Sequence, residues 1–516
     1  MSKQKKIWIG IAVTVIAVAL VTAGFLLHRE RKQQLLEEKR NEAVLELERN
    51  AGQYDEQSIV LYETSKAKAE ELAELYGAEL RITENGRFAT LKLPEGTTIL
   101  DVYAMDESLK YIDEMAADYQ VKISELEDEE EENGERLPMR PQYSVLDTDY
   151  ELQTYLDYLN MGSVWNNYKG NGITVAVIDT GIDTDHPELA GRISEYSYNA
   201  TEDKIVKDWN YDWSLIEDEQ GHGTAVTGVI AASMNGSGIV GIAPNVNILV
   251  IKAECDENGK FARTSDLVFG LYYAIERDVQ VVNMSFGISS PVNPFAEAVQ
   301  LAYDSDIVCV AAAGNDGTSA LCWPAADEKV IGVGALGEGW KLADYSNYGE
   351  NINLVAPGST YTCAMGGGYA TTQGTSLASP IVAGAIALYM QTDKYTTFDR
   401  VTDILYASCY DLGDLGRDWY YGFGALDISA FILEQRGKII YDMLTDELEN
   451  EEGVYIQGHA LQELPEPEGC MRCSTAGITM ILLPKNITIT PTSSTERKLL
   501  FTPSGQTKMT ACLILM

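Results

Sequence analysis

The hydrophobic rhythm of the chain changes several times along its length. Ile7 to Leu27 is a run of 21 residues without a charge, set between the basic opening MSKQKK and the charged block HRERK. That length suits a bilayer-spanning helix and exceeds the apolar core of a cleavable signal peptide. No small-x-small cleavage site follows Leu27, so an uncleaved signal-anchor is favoured over a cleaved signal peptide. Lysines on both flanks orient the span weakly, and the large Lys-poor remainder is expected outside the cell. Residues 28–50 mix many charges with Leu35, Leu36, Val44, Leu45 and Leu47, the pattern of a juxtamembrane helix.

A compact mixed pattern follows. SIVLYE (58–63) reads as a strand, and SKAKAEELAELYG (65–77) reads as a helix capped by Gly77. AELRITENGRFATLKLP (78–94) alternates around Asn85-Gly86, a hairpin signal. ILDVYAMDESLKYIDEMA (99–116) reads as one helix, and YQVKIS (119–124) as a closing strand. Residues 58–124 therefore predict a small α+β module. ELEDEEEENGERLPMRP (125–141) places eight carboxylates in its first eleven residues, cannot build a core, and predicts a solvated linker open to proteolysis.

From residue 143 the pattern becomes buried strands alternating with helices. ITVAVID (173–179), VNILVIKA (246–253), VQVVNMSFG (279–287), IVCVAAAGN (307–315) and KVIGVGA (329–335) are continuous and β-branched, as strands covered on both faces are. GTAVTGVIAASM (223–234), TSDLVFGLYYAIER (264–277) and PFAEAVQLAYDS (294–305) read as the helices between them. The expected fold is α/β, a doubly wound and mainly parallel sheet, with any site beyond the C-terminal ends of the strands.

Composition narrows the function. With 38 Lys and Arg against 78 Asp and Glu, the net charge is −40, which argues against nucleic-acid partners. Eight cysteines are scattered without a dense disulfide pattern, and the lone pair Cys470 and Cys473 is a weak zinc signal. Nothing implies an organic cofactor. Residues 436–468 are acidic and irregular; from Gly469 the charge turns basic, and this tail carries no readable role.

Chemistry gathers at the predicted strand ends. One strand ends in Asp179 within DTGID, another in Ser285-Phe286-Gly287, and a third runs through Ala313 and Gly314 to Asn315. His222 stands between Gly221 and Gly223 at the start of a helix, and Ser376 opens another within GTSLASPIVAG. Of four histidines, His28 flanks the apolar span, His459 lies in the tail, and His186 beside Pro187 reads as structural. Asp179, His222 and Ser376 are the parts of an acyl-transfer site: a hydroxyl, a base with a suitable pKa, and an acid that orients the base. Asn315 supplies an amide N–H for a developing oxyanion, and a helix beginning at Ser376 adds a backbone N–H and its dipole. The small residues around Ser376 are expected to keep the nucleophile exposed, with Pro380 near the helix start where its missing N–H matters least. Each motif alone has a plain structural reading; their order within one α/β domain does not.

DTGID (179–183), GHGTAVTGVIAA (221–232), VVNMSFG (281–287), AAAGND (311–316) and GTSLASPIVAGAIAL (374–388) resemble the signature blocks of the subtilisin-like serine proteases, and YYGFGALDISA (420–430) resembles the closing segment of that family. The resemblance implies a serine endopeptidase with Asp179, His222 and Ser376 as its triad and Asn315 as oxyanion donor. It implies that Ser285, Phe286 and Gly287 bind an extended protein or peptide substrate as an added strand, with Lys260 to Thr264 on its other side and Ala313, Gly314 and Cys322 around the primary pocket. Two positions depart from the family pattern. Ile381 stands where a His follows the Pro of the serine helix, and Cys322 replaces a Gly before Trp323-Pro324, which predicts a shortened pocket that prefers small side chains.

The resemblance also implies a structural calcium held by Glu188, Asn235 and the carbonyls of Ser233, Ser237 and Ile239, oxygen donors of the kind calcium takes. It makes residues 58–124 an inhibitory propeptide, a partner carried in the same chain, with a maturation cut near residues 122–142. The organisation expected is a membrane segment (1–28), a juxtamembrane helix (29–57), the propeptide-like module (58–124), the acidic linker (125–142), the catalytic domain (143–435) and the tail (436–516). A single-pass membrane protein with an external catalytic domain is favoured, a secreted one being the alternative. Two rival functions stay open: a maturation protease of narrow specificity, and a catalytically silent peptide-binding protein.

Overall fold

The structure, a computed structural model, describes residues 28–29, 31–123, 127–128, 147–159, 161–253, 261–288, 293–320, 322–434 and the tail stretches 471–475, 478–482, 487–491 and 499–503. The apolar span 7–27, most of the acidic linker and Cys470 lie outside the described residues, among which no helix is long and apolar enough to cross a membrane. The chain divides into two compact units. One comprises Met1–Val121 with Phe261–Tyr273 and Val292–Ala298; the other comprises Lys122–Lys260, Ala274–Pro291 and Val299–Met516.

The first unit is built on a sheet whose strands run Phe261–Arg263, Met115–Ile123, Tyr54–Leu61, Ala89–Lys92, Glu79–Ile82. Alternation fixes which face is buried, and pairs such as Ile59↔Leu91 and Ile59↔Ala117 stack its apolar side chains. The hairpin predicted at Asn85-Gly86 forms, with Gly86 at φ +71°. Gly77 ends the helix Lys66–Tyr76 in the left-handed conformation, its N–H on the carbonyls of Ala73 and Glu74. The single helix predicted over 99–116 is not formed. Thr98 and Asp101 cap a short helix, Ile99–Ala104; Met105 is extended, and Asp106–Glu114 tightens to a 3-10 helix that buries Ser108 and Tyr111, three residues apart. Helix 31–49 packs Leu36, Val44 and Leu47 into the same core, so its apolar positions serve the sheet.

This unit also takes in the first part of the helix Thr264–Glu276. Asp118 caps that helix, accepting from the Ser265 N–H at 2.9 Å and the Ser265 hydroxyl at 2.7 Å. Phe88 packs edge-on against Phe269 at 4.9 Å, and the Arg81 guanidinium lies 3.8 Å over the same ring. Arg81 also reaches Asp266 at 3.1 Å. Burial lifts the Asp266 carboxyl to about 7, repulsion from Asp118 adding to it while Arg81 and Arg263 oppose it. A carboxyl raised in the folded state favours folding while it is protonated. That contribution is whole below its ordinary value of 3.8 and is lost as the pH rises through about 7. Asp266→Asn is therefore expected to flatten the pH dependence of protection in residues 54–121 over that window, read by hydrogen exchange. An unchanged slope would contradict the assignment.

The second unit holds an eight-stranded sheet ordered Leu354–Pro357, Val330–Leu336, Val308–Ala312, Val281–Met284, Thr174–Asp179, Asn247–Lys252, Tyr198–Asn199, Lys204–Ile205. The named pairings from Leu354–Pro357 to Tyr198–Asn199 are parallel, as the continuous apolar runs predict. Helices His222–Ala231 and Thr375–Met390 are buried on every side. Their small residues permit this: a Cβ on Gly228 would lie 2.8 Å from the Cys363 sulfur, and one on Gly384 2.8 Å from Ile242 Cβ. Glu127–Asp128, read from sequence as part of a solvated linker, instead pairs antiparallel with Thr372 and Gln373. Strand pairing uses the main chain, so acidic side chains do not forbid it. In the tail, Met471–Thr475 pairs with Ile478–Leu482 and Ile487–Pro491 with Leu499–Pro503.

Candidate active site

Asp179 is the last residue of its strand and His222 the first of its helix, which places an acid and an imidazole side by side. Asp179 Oδ1 lies 2.6 Å from His222 Nδ1 and accepts from the Thr180 N–H at 2.8 Å. Both side chains are buried. Burial by itself would lower the His222 pKa; the Asp179 carboxylate outweighs it, with help from Asp218, and the net shift is upward from 6.5. The other ring nitrogen, Nε2, has no hydrogen-bond partner among the described residues.

The backbone approach that sets this pair requires glycine. A Cβ on Gly223 would lie 2.2 Å from the Gly181 carbonyl oxygen, and Gly221 caps the helix at φ +94°. Sequence reasoning missed Asp218. It accepts from the N–H of Gly221 and Thr224 at 2.9 Å each and from the Thr180 hydroxyl at 2.9 Å, tying the His222 helix to the turn after Asp179. Its signal was an acid placed as a cap, four residues before the histidine.

Ser376 is the second residue of the helix Thr375–Met390. It is buried, contrary to the exposed nucleophile expected. The chain itself borders the cleft: Lys122 and Ile123 pair with Gly287 and Phe286, and Glu127 and Asp128 with Gln373 and Thr372. Ser376 Oγ donates to the Ser285 carbonyl at 3.4 Å. Pro380 sits at the sixth helical position, not where its missing N–H is harmless. The carbonyl left without its i+4 donor is that of Ser376, and the Ser285 hydroxyl donates to it at 2.9 Å.

Asn315 is held by its oxygen, which accepts from the Thr375 N–H at 2.9 Å and the Thr375 hydroxyl at 2.8 Å. Its amide nitrogen is thereby turned outward. A Cβ placed on Gly374 would lie 3.2 Å from that nitrogen and 3.7 Å from the Ser376 nitrogen, so both donors face one small space. The helix N-terminus adds its dipole there. Gly314, at φ +100°, donates to the Thr375 hydroxyl at 3.1 Å, and Ala313 is buried beside it. Ile381 is buried in the core. Phe261–Arg263 forms a strand beside Met115–Ile123; Lys260 lies outside the described residues.

The expected calcium residues come together in part. Both Glu188 oxygens are engaged, by the Tyr369 hydroxyl at 2.8 Å and the Asn235 amide nitrogen at 2.9 Å. Asn235 thus offers its oxygen only with the amide turned over. Burial raises the Glu188 pKa, and repulsion from Asp147 adds to the rise. Asp147, which sequence reasoning missed, accepts from the N–H of Asn235 and Gly236 through Oδ1, while its buried Oδ2 has no partner. The carbonyls of Ser233, Ser237 and Ile239 accept no hydrogen bond among the described residues. Two repelling carboxyls, an orphaned buried oxygen and free carbonyls are a donor set that fits a cation. His186 is structural, with Nδ1 accepting from the Glu188 N–H and Nε2 at 2.9 Å from the Gly368 carbonyl.

Comparison with known proteins matches residues 170–424 to the Subtilase family. An intracellular serine protease of Paenibacillus polymyxa is 39% identical over 256 residues, which cover 48% of this chain and 76% of that protein. Subtilisin DY of Bacillus licheniformis is 36% identical over 274 residues, covering 51% of this chain and 92% of that protein. Among solved structures, fervidolysin from Fervidobacterium pennivorans superposes with a TM-score of 0.63 over 74% of this chain and 62% of its own, at 23% identity, a likeness of fold.

Proposed function

The chain belongs to the subtilase family and is a serine endopeptidase, and we propose that Asp179, His222 and Ser376 hydrolyse peptide bonds through an acyl-enzyme. The observation that carries this reading is the 2.6 Å contact of Asp179 with His222 Nδ1, which leaves Nε2 free for a proton. His222 Nε2 takes the Ser376 proton as Oγ attacks the scissile carbonyl. Asn315 and the Ser376 N–H donate to the oxyanion that forms. His222 then gives the proton to the leaving amine, and water releases the acyl group by the same route reversed. Casein and short quenched peptides test this directly. Hydrolysis that a fluorophosphonate abolishes is expected; tight peptide binding without hydrolysis would favour the silent binding protein instead.

The N-terminal segment is its own first substrate in this reading. Strand pairing at 122–123 and 127–128, on either side of the serine, supports a cut between residues 123 and 127. Docking of the 54–121 sheet on the Thr264–Glu276 helix supports its role as a folding and inhibitory partner. The 21 uncharged residues 7–27 support attachment to a membrane with the enzyme outside.

Calcium completes the proposal. Glu188, Asp147, Asn235 and the carbonyls of Ser233, Ser237 and Ile239 would hold the ion, which would neutralise the two carboxyls and brace the loop 233–239. At a hundredfold excess over its Kd, a bound ion adds about 2.7 kcal/mol, or about 5–10 °C in Tm for a domain of this size. Chelation is expected to remove that increment, and Asp147→Asn to abolish the response. A melting curve indifferent to calcium would contradict the site.

A further inference from the structure

We infer that Asn283 and Ser379 are positioning residues: with Ser285 they form a buried relay that holds the main chain of the nucleophile against the central sheet, a task that Pro380 takes away from the helix. The inference rests on the triad reading above and adds to it two residues with no exposed surface.

The strand Val281–Met284 runs inside the parallel sheet, and Asn283 stands in register with Val177 on one side and Val310 on the other. An amide is out of place there. A strand covered on both faces selects apolar side chains, and a buried amide is costly unless it is bonded. Asn283 is bonded at both ends of its amide. Nδ2 donates to Ser285 Oγ at 2.9 Å, and Oδ1 accepts from the Ser379 hydroxyl at 2.7 Å. Ser379 follows Ser376 by three residues and so shares its face of the helix Thr375–Met390. A helical serine can turn its hydroxyl back on the carbonyl one turn earlier; this one reaches across to the strand. Asn283, Ser285, Ser376 and Ser379 are all fully buried.

The direction of the relay is dictated from its far end. Pro380 has no N–H, so the Ser376 carbonyl has no helical donor. A carbonyl can only accept, so the single hydrogen of Ser285 Oγ goes to it, at 2.9 Å. Ser285 Oγ must then accept from Asn283, which turns Nδ2 toward it and Oδ1 toward Ser379. Both hydroxyl hydrogens of the relay are committed, and each bond polarises the next. This fixes the plane of the peptide that follows Ser376. That plane sets where Cβ and Oγ of the nucleophile point, and a misplacement of about 1 Å costs about 100-fold in rate. The Ser376 hydroxyl stands apart from the relay: its own bond, to the Ser285 carbonyl, is longer at 3.4 Å. Pro380 thereby makes the sheet, rather than the helix, the element that holds the nucleophile.

Kinetics on the full chain test this, with a quenched peptide as substrate and active sites counted by fluorophosphonate. Ser379→Ala keeps the volume and cuts the relay at its start. It is expected to lower kcat about 10-fold, and Ser285→Ala about 100-fold, each with KM held within about twofold. The double variant is expected to be no slower than Ser285→Ala alone, because both substitutions break one chain of bonds. Adding Pro380→Ala to Ser285→Ala supplies an N–H for the bare carbonyl and is expected to restore most of the lost kcat, a rescue that general destabilisation cannot produce. Should Ser285→Ala not titrate, the same rescue is read on Ser379→Ala. Unchanged kcat in Ser379→Ala, a loss carried by KM, losses that multiply in the double variant, or no rescue by Pro380→Ala in titratable enzyme would overturn the inference. Failure of wild type to titrate would instead remove the triad reading on which it rests.

Discussion

Ser376→Ala is expected to lower kcat/KM about a million-fold and to leave the chain uncut. The neighbouring Thr375 hydroxyl is already engaged by Asn315 and Gly314. The side chain is small, buried at the start of a fully buried helix, and tied through its own carbonyl to Ser285. Alanine keeps the volume and the backbone, so the Ser285 hydroxyl still satisfies the carbonyl that Pro380 leaves without its helical donor. The variant should therefore fold and bind its N-terminal segment while losing chemistry. Unchanged thermal melting beside absent turnover is the expected pair of results, and residual self-cutting would place the nucleophile elsewhere.

Asp179→Asn is expected to lower kcat about 10,000-fold, because an amide cannot hold the imidazole in the tautomer that leaves Nε2 free to accept. The pH profile carries a second signature. The base must be neutral to work, and in the native site its pKa is raised above 6.5 by the carboxylate at 2.6 Å. Activity is therefore lost as pH falls through a value above 6.5, the acid limb reporting the imidazolium. Without the carboxylate, burial dominates and favours neutral imidazole, so the acid limb of the residual activity should move to lower pH. A limb that stays in place would mean that another group sets the profile. Asp218, which also raises the His222 pKa, is not removed by this substitution, so the shift should be partial.

What the sequence disclosed follows local physics. Continuous β-branched runs could only be strands covered on both faces, and they are. Gly86 and Gly77 mark a turn and a helix end whose left-handed backbone favours glycine. The glycines beside His222 were legible as sites of close approach. The parts that escaped depend on residues far apart in the chain. Nothing around Asp147 shows that its carboxyl meets the loop at 235–236, nor around Asp118 that it caps a helix beginning at Thr264. The helix expected over 99–116 has the apolar content of one, yet Tyr111 and Ile112 are drawn into the core of a sheet that only the fold assembles. Ser376 was expected to be exposed because small neighbours permit it. The pairing of Glu127 and Asp128 beside it is invisible in a run of acidic residues.

The most direct measurement is fluorophosphonate labelling of the full chain, with mass spectrometry of its peptides. One adduct is expected, on the peptide that carries Ser376, together with a new N-terminus between residues 124 and 127, and neither in Ser376→Ala. An adduct on another serine, or none on a chain whose N-terminal segment has been verified as removed, would contradict it.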